Sequence, residues 1–175
     1  MDIIELDKVF VANTYARSPL VAASGSGALI TDENGKEFID LGSGIGVNCF
    51  GACDTEWVSA IEAQLHKLQH ISNLYYTEPQ TKLAELLCEK TGMKKVFFGN
   101  SGAEANECAI KCARKYSSDK YGAGRSTIIT LTNSFHGRTL ATLSGTTASP
   151  GRSGQTSPLI RCGMTTRTQT ITTIL

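Results

Sequence analysis

An α/β fold with a parallel layer is what this sequence predicts, and three observations predict it. The apolar run Val96-Phe97-Phe98 gives way at Gly99-Asn100-Ser101 to a segment in which Ala105, Cys108, Ala109, Cys112 and Tyr116 repeat on one helix face. A second apolar, β-branched run, Thr127-Ile128-Ile129-Thr130-Leu131, follows that segment. Strand, helix and strand in this order form the unit from which parallel sheets are built.

The elements upstream have local signals of their own. Ala28 to Thr31 and Lys36 to Leu41 read as a hairpin, with Asn34-Gly35 supplying the positive φ angles of the turn. Asp54 is placed to cap a helix carrying Trp57, Ile61, Leu65 and Leu68 at helical spacing. Pro79 suits the first turn of another helix, along which Leu83, Leu86 and Leu87 form an apolar stripe that Gly92 ends.

Composition fits a globular protein: 41% hydrophobic and 19% charged residues, with a net charge of +1 over 175 residues. No apolar run approaches the roughly 20 residues of a membrane span, and the acidic start (Asp2, Glu5, Asp7) is unlike a signal peptide. The expectation is a cytoplasmic protein with no membrane partner. Its six cysteines are then read as reduced thiols. No acid follows Asp119, but the basic residues of that segment are scattered and barely interleaved with aromatics, so nucleic acid is not an expected partner. From Thr146 onward the chain is rich in threonine and has neither acids nor aromatics. Such a segment is a poor core former. The expected organisation is an N-terminal segment with hairpin and helix (1–70), the start of a larger domain (71–145) and an aberrant tail (146–175) that reads as a truncated or frame-shifted product.

The turn at Ser101-Gly102-Ala103 carries the first chemical hypothesis. The first N–H groups of a helix have no intrahelical acceptor, and the helix dipole adds positive potential there. Small residues at that position let a phosphate approach the amides, and Gly102 also tolerates angles closed to other residues.

The run Asn100-Ser101-Gly102-Ala103-Glu104-Ala105-Asn106-Glu107 resembles the Asn-Ser-Gly-(Ala/Thr)-Glu-Ala-Asn-Glu motif of class III aminotransferases. Phe135-His136-Gly137-Arg138-Thr139 is similar to a second block of that family, in its acetylornithine aminotransferase branch. Thr14 to Val21 and Ser72 to Gln80 match two more. The resemblance covers residues 1 to about 145. It implies a truncated PLP-dependent transferase of fold type I, comprising the N-terminal segment and the first part of the large-domain sheet. The cofactor it implies is pyridoxal 5'-phosphate (PLP), held through its phosphate by Gly102 and Ala103 and stacked on Phe135. Arg138 is the residue implied to bind the substrate α-carboxylate, since a guanidinium offers two parallel donors. Tyr15 and Arg17 are implied to line the substrate pocket, a surface turn before Pro19 being the other reading. The family reaction moves the δ-amino group of N-acetylornithine, the amino donor, to a 2-oxo acid, 2-oxoglutarate, in arginine biosynthesis. Ornithine, succinylornithine and 4-aminobutyrate are donors in related branches, and His136 favours acetylornithine. A homodimer is also implied.

The family's Schiff-base lysine and its pyridinium-pairing aspartate both lie downstream of the Phe-His-Gly-Arg block, yet here the last lysine is Lys120 and the last acid Asp119. The expectation is that this chain alone contains no catalytic residue and is inactive, a non-enzymatic remnant being a further reading. A rival is Phe38 to Gly46, with Asp40-Leu41-Gly42-Ser43-Gly44-Ile45-Gly46, which resembles the glycine loop of S-adenosylmethionine-dependent methyltransferases. It lacks an acid about 20 residues later at the end of a second strand. Cys108 with Cys112, and His66 with His70, are pairs four apart on expected helices; packing of small groups and a helix C-terminus explain them without a metal.

Overall fold

The computed structural model describes residues 2–131 and 133–146 with their side chains, and residues 159–162 as a backbone strand. The chain forms two compact units, Met1–Tyr75 and Tyr76–Leu175.

The first unit opens with a helix that the sequence reading did not anticipate, α1 (Ile3–Phe10), whose Asp2 cap accepts the Glu5 amide at 2.8 Å. The chain then doubles back, and Arg17 Nη1 meets Asp7 Oδ2 at 2.8 Å. Strands β1 (Ala22–Ser26), β2 (Leu29–Asp32) and β3 (Glu37–Ile39) form an antiparallel meander in that order. The expected hairpin is β2 with β3, in the register Leu29 to Ile39, Ile30 to Phe38 and Thr31 to Glu37. Its turn differs from expectation. Only Gly35 has positive φ (81°), because Asp32 Oδ1 accepts both the Asn34 and Lys36 amides, at 2.9 and 2.8 Å, and shapes a longer loop without help from Asn34.

After β3, Asp40 Oδ1 accepts the Gly42 and Ser43 amides, each at 2.9 Å. The short segment α2 (Ser43–Gly46) then runs through φ values of 43°, 61°, 64° and 80°, one left-handed turn that the glycines tolerate and that strains the β-branched Ile45. The methyltransferase reading fails here. It requires this loop to follow a parallel strand, whereas among the described residues β3 pairs only with β2 and is antiparallel to it. Helix α3 (Thr55–Leu65) begins as predicted, with Asp54 Oδ1 accepting the Trp57 amide at 2.8 Å. It ends one residue before His66, its C-cap, so Leu68 and His70 lie beyond it and the two histidines do not share a helix face.

In the second unit, α4 (Glu78–Thr91) has Pro79 in its first turn and a left-handed C-cap at Gly92. Residues 95–99 form no ladder among the described residues, which corrects the expected strand at Val96 to Phe98: apolar side chains favour a strand, but only a hydrogen-bonding partner makes one. Helix α5 (Gly102–Tyr121) follows, then β4 (Ile128–Leu131), α6 (Leu140–Gly145) and β5 (Leu159–Cys162). β4 and β5 pair in parallel, Ile128 with Leu159 through Leu131 with Cys162, so the parallel pairing is made by a strand of the tail and not by the expected partner at Val96 to Phe98. β5 falls in the segment read as an aberrant tail; most of that segment lies outside the described residues.

The helical stripes are present but uncovered. Among the described residues no hydrophobic side chain is buried, and Trp57 on α3 is 51% exposed. The helices therefore rest chiefly on local chemistry: caps, first-turn residues and hydrogen bonds. Among the described residues, no helix is long and apolar enough to cross a membrane.

Candidate functional site

Helix α5 begins at the predicted phosphate turn. Ser101 is its N-cap, extended at φ −158° and ψ 160°, and its hydroxyl accepts the Glu104 amide at 3.2 Å. Glu104 turns back and accepts the Asn100 amide and side-chain amide at 2.7 and 3.1 Å, so its carboxylate is engaged outside the helix. This is a capping box shifted by one residue. Among the described residues the amides of Gly102 and Ala103 have no recorded acceptor. They lie at the positive end of a 20-residue helix, on residues with no side chain or a methyl only. Two such donors side by side fit a phosphate. Gly102 has helical angles, not positive φ, so it serves by being small.

The second predicted block is folded against this helix end. Gly137 is buried at φ 125°, and a Cβ built on it would lie 2.7 Å from Ala103 Cβ. Asn106 Nδ2 donates to the His136 carbonyl at 2.8 Å, and the Thr139 hydroxyl donates to Glu107 Oε1 at 2.6 Å. From the other side, the His136 amide donates to Thr146 Oγ1 at 3.0 Å, and that hydroxyl donates to the Gly137 carbonyl at 2.9 Å. Thr139 also caps α6 in a reciprocal box with Thr142, a side chain with no exposed surface. The structure thus brings the Phe135–Arg138 loop to the N-terminus of α5.

On that loop Phe135 is 58% exposed and Arg138 is exposed, the guanidinium carbon 5.3 Å from the Phe135 ring centroid. This is a cation–π arrangement. Tyr15 and Arg17 belong to the first unit, where they line a groove of about 770 Å³ with Ile4, Lys8, Val11 and Leu20. The sequence reading gave Asn106 and Glu107 no role. Cys108 and Cys112 lie with their sulfurs 3.9 Å apart, and no group of three or more metal-binding side chains occurs among the described residues.

Glu107 is held below the ordinary glutamate value of 4.5 chiefly by the Thr139 hydroxyl; partial burial opposes this, and Lys111 and the Ala141 amide reinforce it. A carboxyl lowered in the folded state stabilises it above its unfolded value, and the stabilisation is lost as pH falls through the folded value. Loop protection against amide exchange should therefore hold above pH 4.5 and decline below it. Lys111 Nζ lies 3.7 Å from this carboxylate and also favours its charged form, and Glu107→Gln is the control. If the decline persisted in that variant, Glu107 would not be its source.

Residues 10–167 match the profile of the family described as Aminotransferase class-III. The acetylornithine aminotransferase of Haemophilus ducreyi is 56% identical over 142 residues, 81% of this chain and 36% of that protein. Among solved structures, the N-acetylornithine aminotransferase of Stenotrophomonas maltophilia superposes with a TM-score of 0.69 at 41% identity, covering 77% of this chain and 36% of that one. The ornithine aminotransferase of Toxoplasma gondii superposes with a TM-score of 0.82 at 25% identity, covering 91% and 39%. The chain spans about a third of the length of the curated relatives it matches. With a profile match over most of its length and two of that family's motif blocks folded together at one helix end, the chain belongs to the class III aminotransferases, PLP-dependent enzymes of fold type I.

Proposed function

We propose that this chain is the cofactor-phosphate half of an acetylornithine aminotransferase, acting in transfer of the δ-amino group of N-acetylornithine to 2-oxoglutarate within arginine biosynthesis. The observation that carries the reading is the N-terminus of α5, where the amides of Gly102 and Ala103 have no acceptor among the described residues and Gly137, of the loop that carries Phe135 and Arg138, packs against Ala103. The two amides hold the phosphate. Phe135, more than half exposed on the loop, would stack on the cofactor ring and orient it. Arg138 binds the substrate α-carboxylate through its two parallel donors. When bound, PLP supplies an electron sink for the substrate's reacting carbon. Moving the proton falls to a lysine in this chemistry, and no lysine follows Lys120 here. That lysine, like the acid that pairs with the ring nitrogen, has to come from outside these 175 residues, and the chain alone binds cofactor without turning over. Residues 71–145 are the start of the PLP-binding domain and 1–70 are the N-terminal segment. The assembled enzyme is a cytoplasmic homodimer.

A chimera tests this reading: residues 10–146 of this chain replace the matching segment of the Haemophilus ducreyi relative. It should transfer the amino group from N-acetylornithine, and Arg138→Lys should raise KM for that donor by roughly 10-fold or more while PLP absorbance stays, as the loss of one charge-assisted hydrogen bond implies. Phe135→Ala should weaken PLP retention instead. A chimera that binds PLP but accepts only 4-aminobutyrate would overturn the substrate, and loss of PLP on Arg138→Lys would overturn the division of roles.

A further inference from the structure

We propose that Asn106 and Glu107 are positioning residues that fasten the Phe135–Arg138 loop to α5, making the phosphate turn and the loop one rigid unit. What the turn and loop bind rests on the reading above; the fastening itself does not.

The two side chains grip the loop on either side of Gly137 and Arg138. Asn106 Nδ2 donates to the His136 carbonyl at 2.8 Å, and Glu107 Oε1 accepts from Thr139 at 2.6 Å, both in part-buried surroundings. Asn106 and Glu107 stand one turn along the helix from Gly102 and Ala103, and between them Ala103 abuts Gly137. The partner atoms lie 30 and 32 residues away in sequence, so neither bond forms unless the loop is docked. The chemistry is matched to each position: a carbonyl needs a donor, which an amide has and a carboxylate lacks, and a hydroxyl already capping α6 needs a strong acceptor. The polar face of α5 is therefore the one that packs, since Arg114 and Ser117 on the same side donate to the carbonyls of Ser126 and Arg125.

The test uses the 175-residue chain as wild type and as Asn106→Leu, Glu107→Leu and Glu107→Gln. Gln keeps an acceptor oxygen and serves as the conservative rescue. Amide exchange is followed by mass spectrometry over 134–139 and over α5. Loop exchange should accelerate roughly tenfold or more in both leucine variants, as expected for a lost hydrogen bond, accelerate less in Glu107→Gln, which keeps a neutral and weaker acceptor, and leave α5 unchanged. Inorganic phosphate should bind all four chains alike, while PLP, which also needs the ring contact, should bind the leucine variants several-fold more weakly. Unchanged loop exchange in the leucine variants overturns the proposal. So does equal loss of protection along α5, or equal weakening of phosphate and PLP, because either result means that these residues only stabilise the fold. If wild type binds neither phosphate nor PLP, the cofactor reading fails and the exchange data still decide the fastening.

Discussion

Replacing Gly137 with alanine should detach the Phe135–Arg138 loop from α5 and destabilise the unit that carries it by about 2–6 kcal/mol. Two independent penalties add. At φ 125° a residue with a side chain is strained, at about 1–3 kcal/mol. The new Cβ would also lie 2.7 Å from Ala103 Cβ, 2.7 Å from Thr142 Oγ1 and 3.1 Å from Ala103 Cα. None of these can yield easily, since Ala103 is in the first turn of α5 and Thr142 is wholly buried in the α6 capping box. Overpacking of that kind costs about 1–3 kcal/mol. Gly124→Ala separates the two effects: its φ is 101° but nothing lies within 4 Å of its Cβ position, so it should show the strain alone. Amide exchange at 103–107 and 134–139 is the measurement. Gly137→Ala exchanging no faster than Gly124→Ala at those amides would mean that the close approach to Ala103 is wrong.

The contrast between what could and could not be read from the sequence has one physical root. Asp54, Pro79, Gly92 and Ser101 act within three or four residues of themselves, so their caps and turns are legible from local order alone, and all four stand where the sequence places them. Asn106 and Glu107 act on partners 30 and 32 residues away, and hydropathy periodicity points to the wrong face of α5. The small apolar stripe of Ala105, Cys108 and Cys112 suggests a packing surface, but the contacts that form within this chain are polar ones to loop carbonyls. Val96 to Phe98 failed for a related reason: the propensity was right, but strand pairing is a property of two segments, and β4 took β5. β1, Ala-Ala-Ser-Gly-Ser, has no alternation to read, and it is a strand because β2 offers it a free edge. The site was legible as two blocks, Gly102 with Ala103 and Phe135 with Arg138. What joins them was not.

Gly102→Pro should cost the chain its hold on phosphate while leaving α5 intact. Proline is at home in the first helical position, which is where Gly102 stands, because its missing N–H has no intrahelical partner there and its φ suits the helix. It also demands an extended residue before it, and Ser101 already has φ −158° and ψ 160°. The substitution therefore removes one of the two proposed phosphate donors without disturbing the Ser101 cap on the Glu104 amide. A hydrogen bond to a charged group contributes about 1.5–3 kcal/mol, so PLP and inorganic phosphate should each bind roughly 10- to 150-fold more weakly. Gly102→Ala, which keeps the N–H and adds only a methyl, should bind far better than the proline variant, whereas Gly102→Val, which keeps the N–H but fills the approach, should fail with it. Helix content by circular dichroism should match wild type in the proline chain. If Gly102→Pro bound both ligands at wild-type affinity, the anion would not be held by this amide, and the cofactor phosphate would have to be placed elsewhere on the chain.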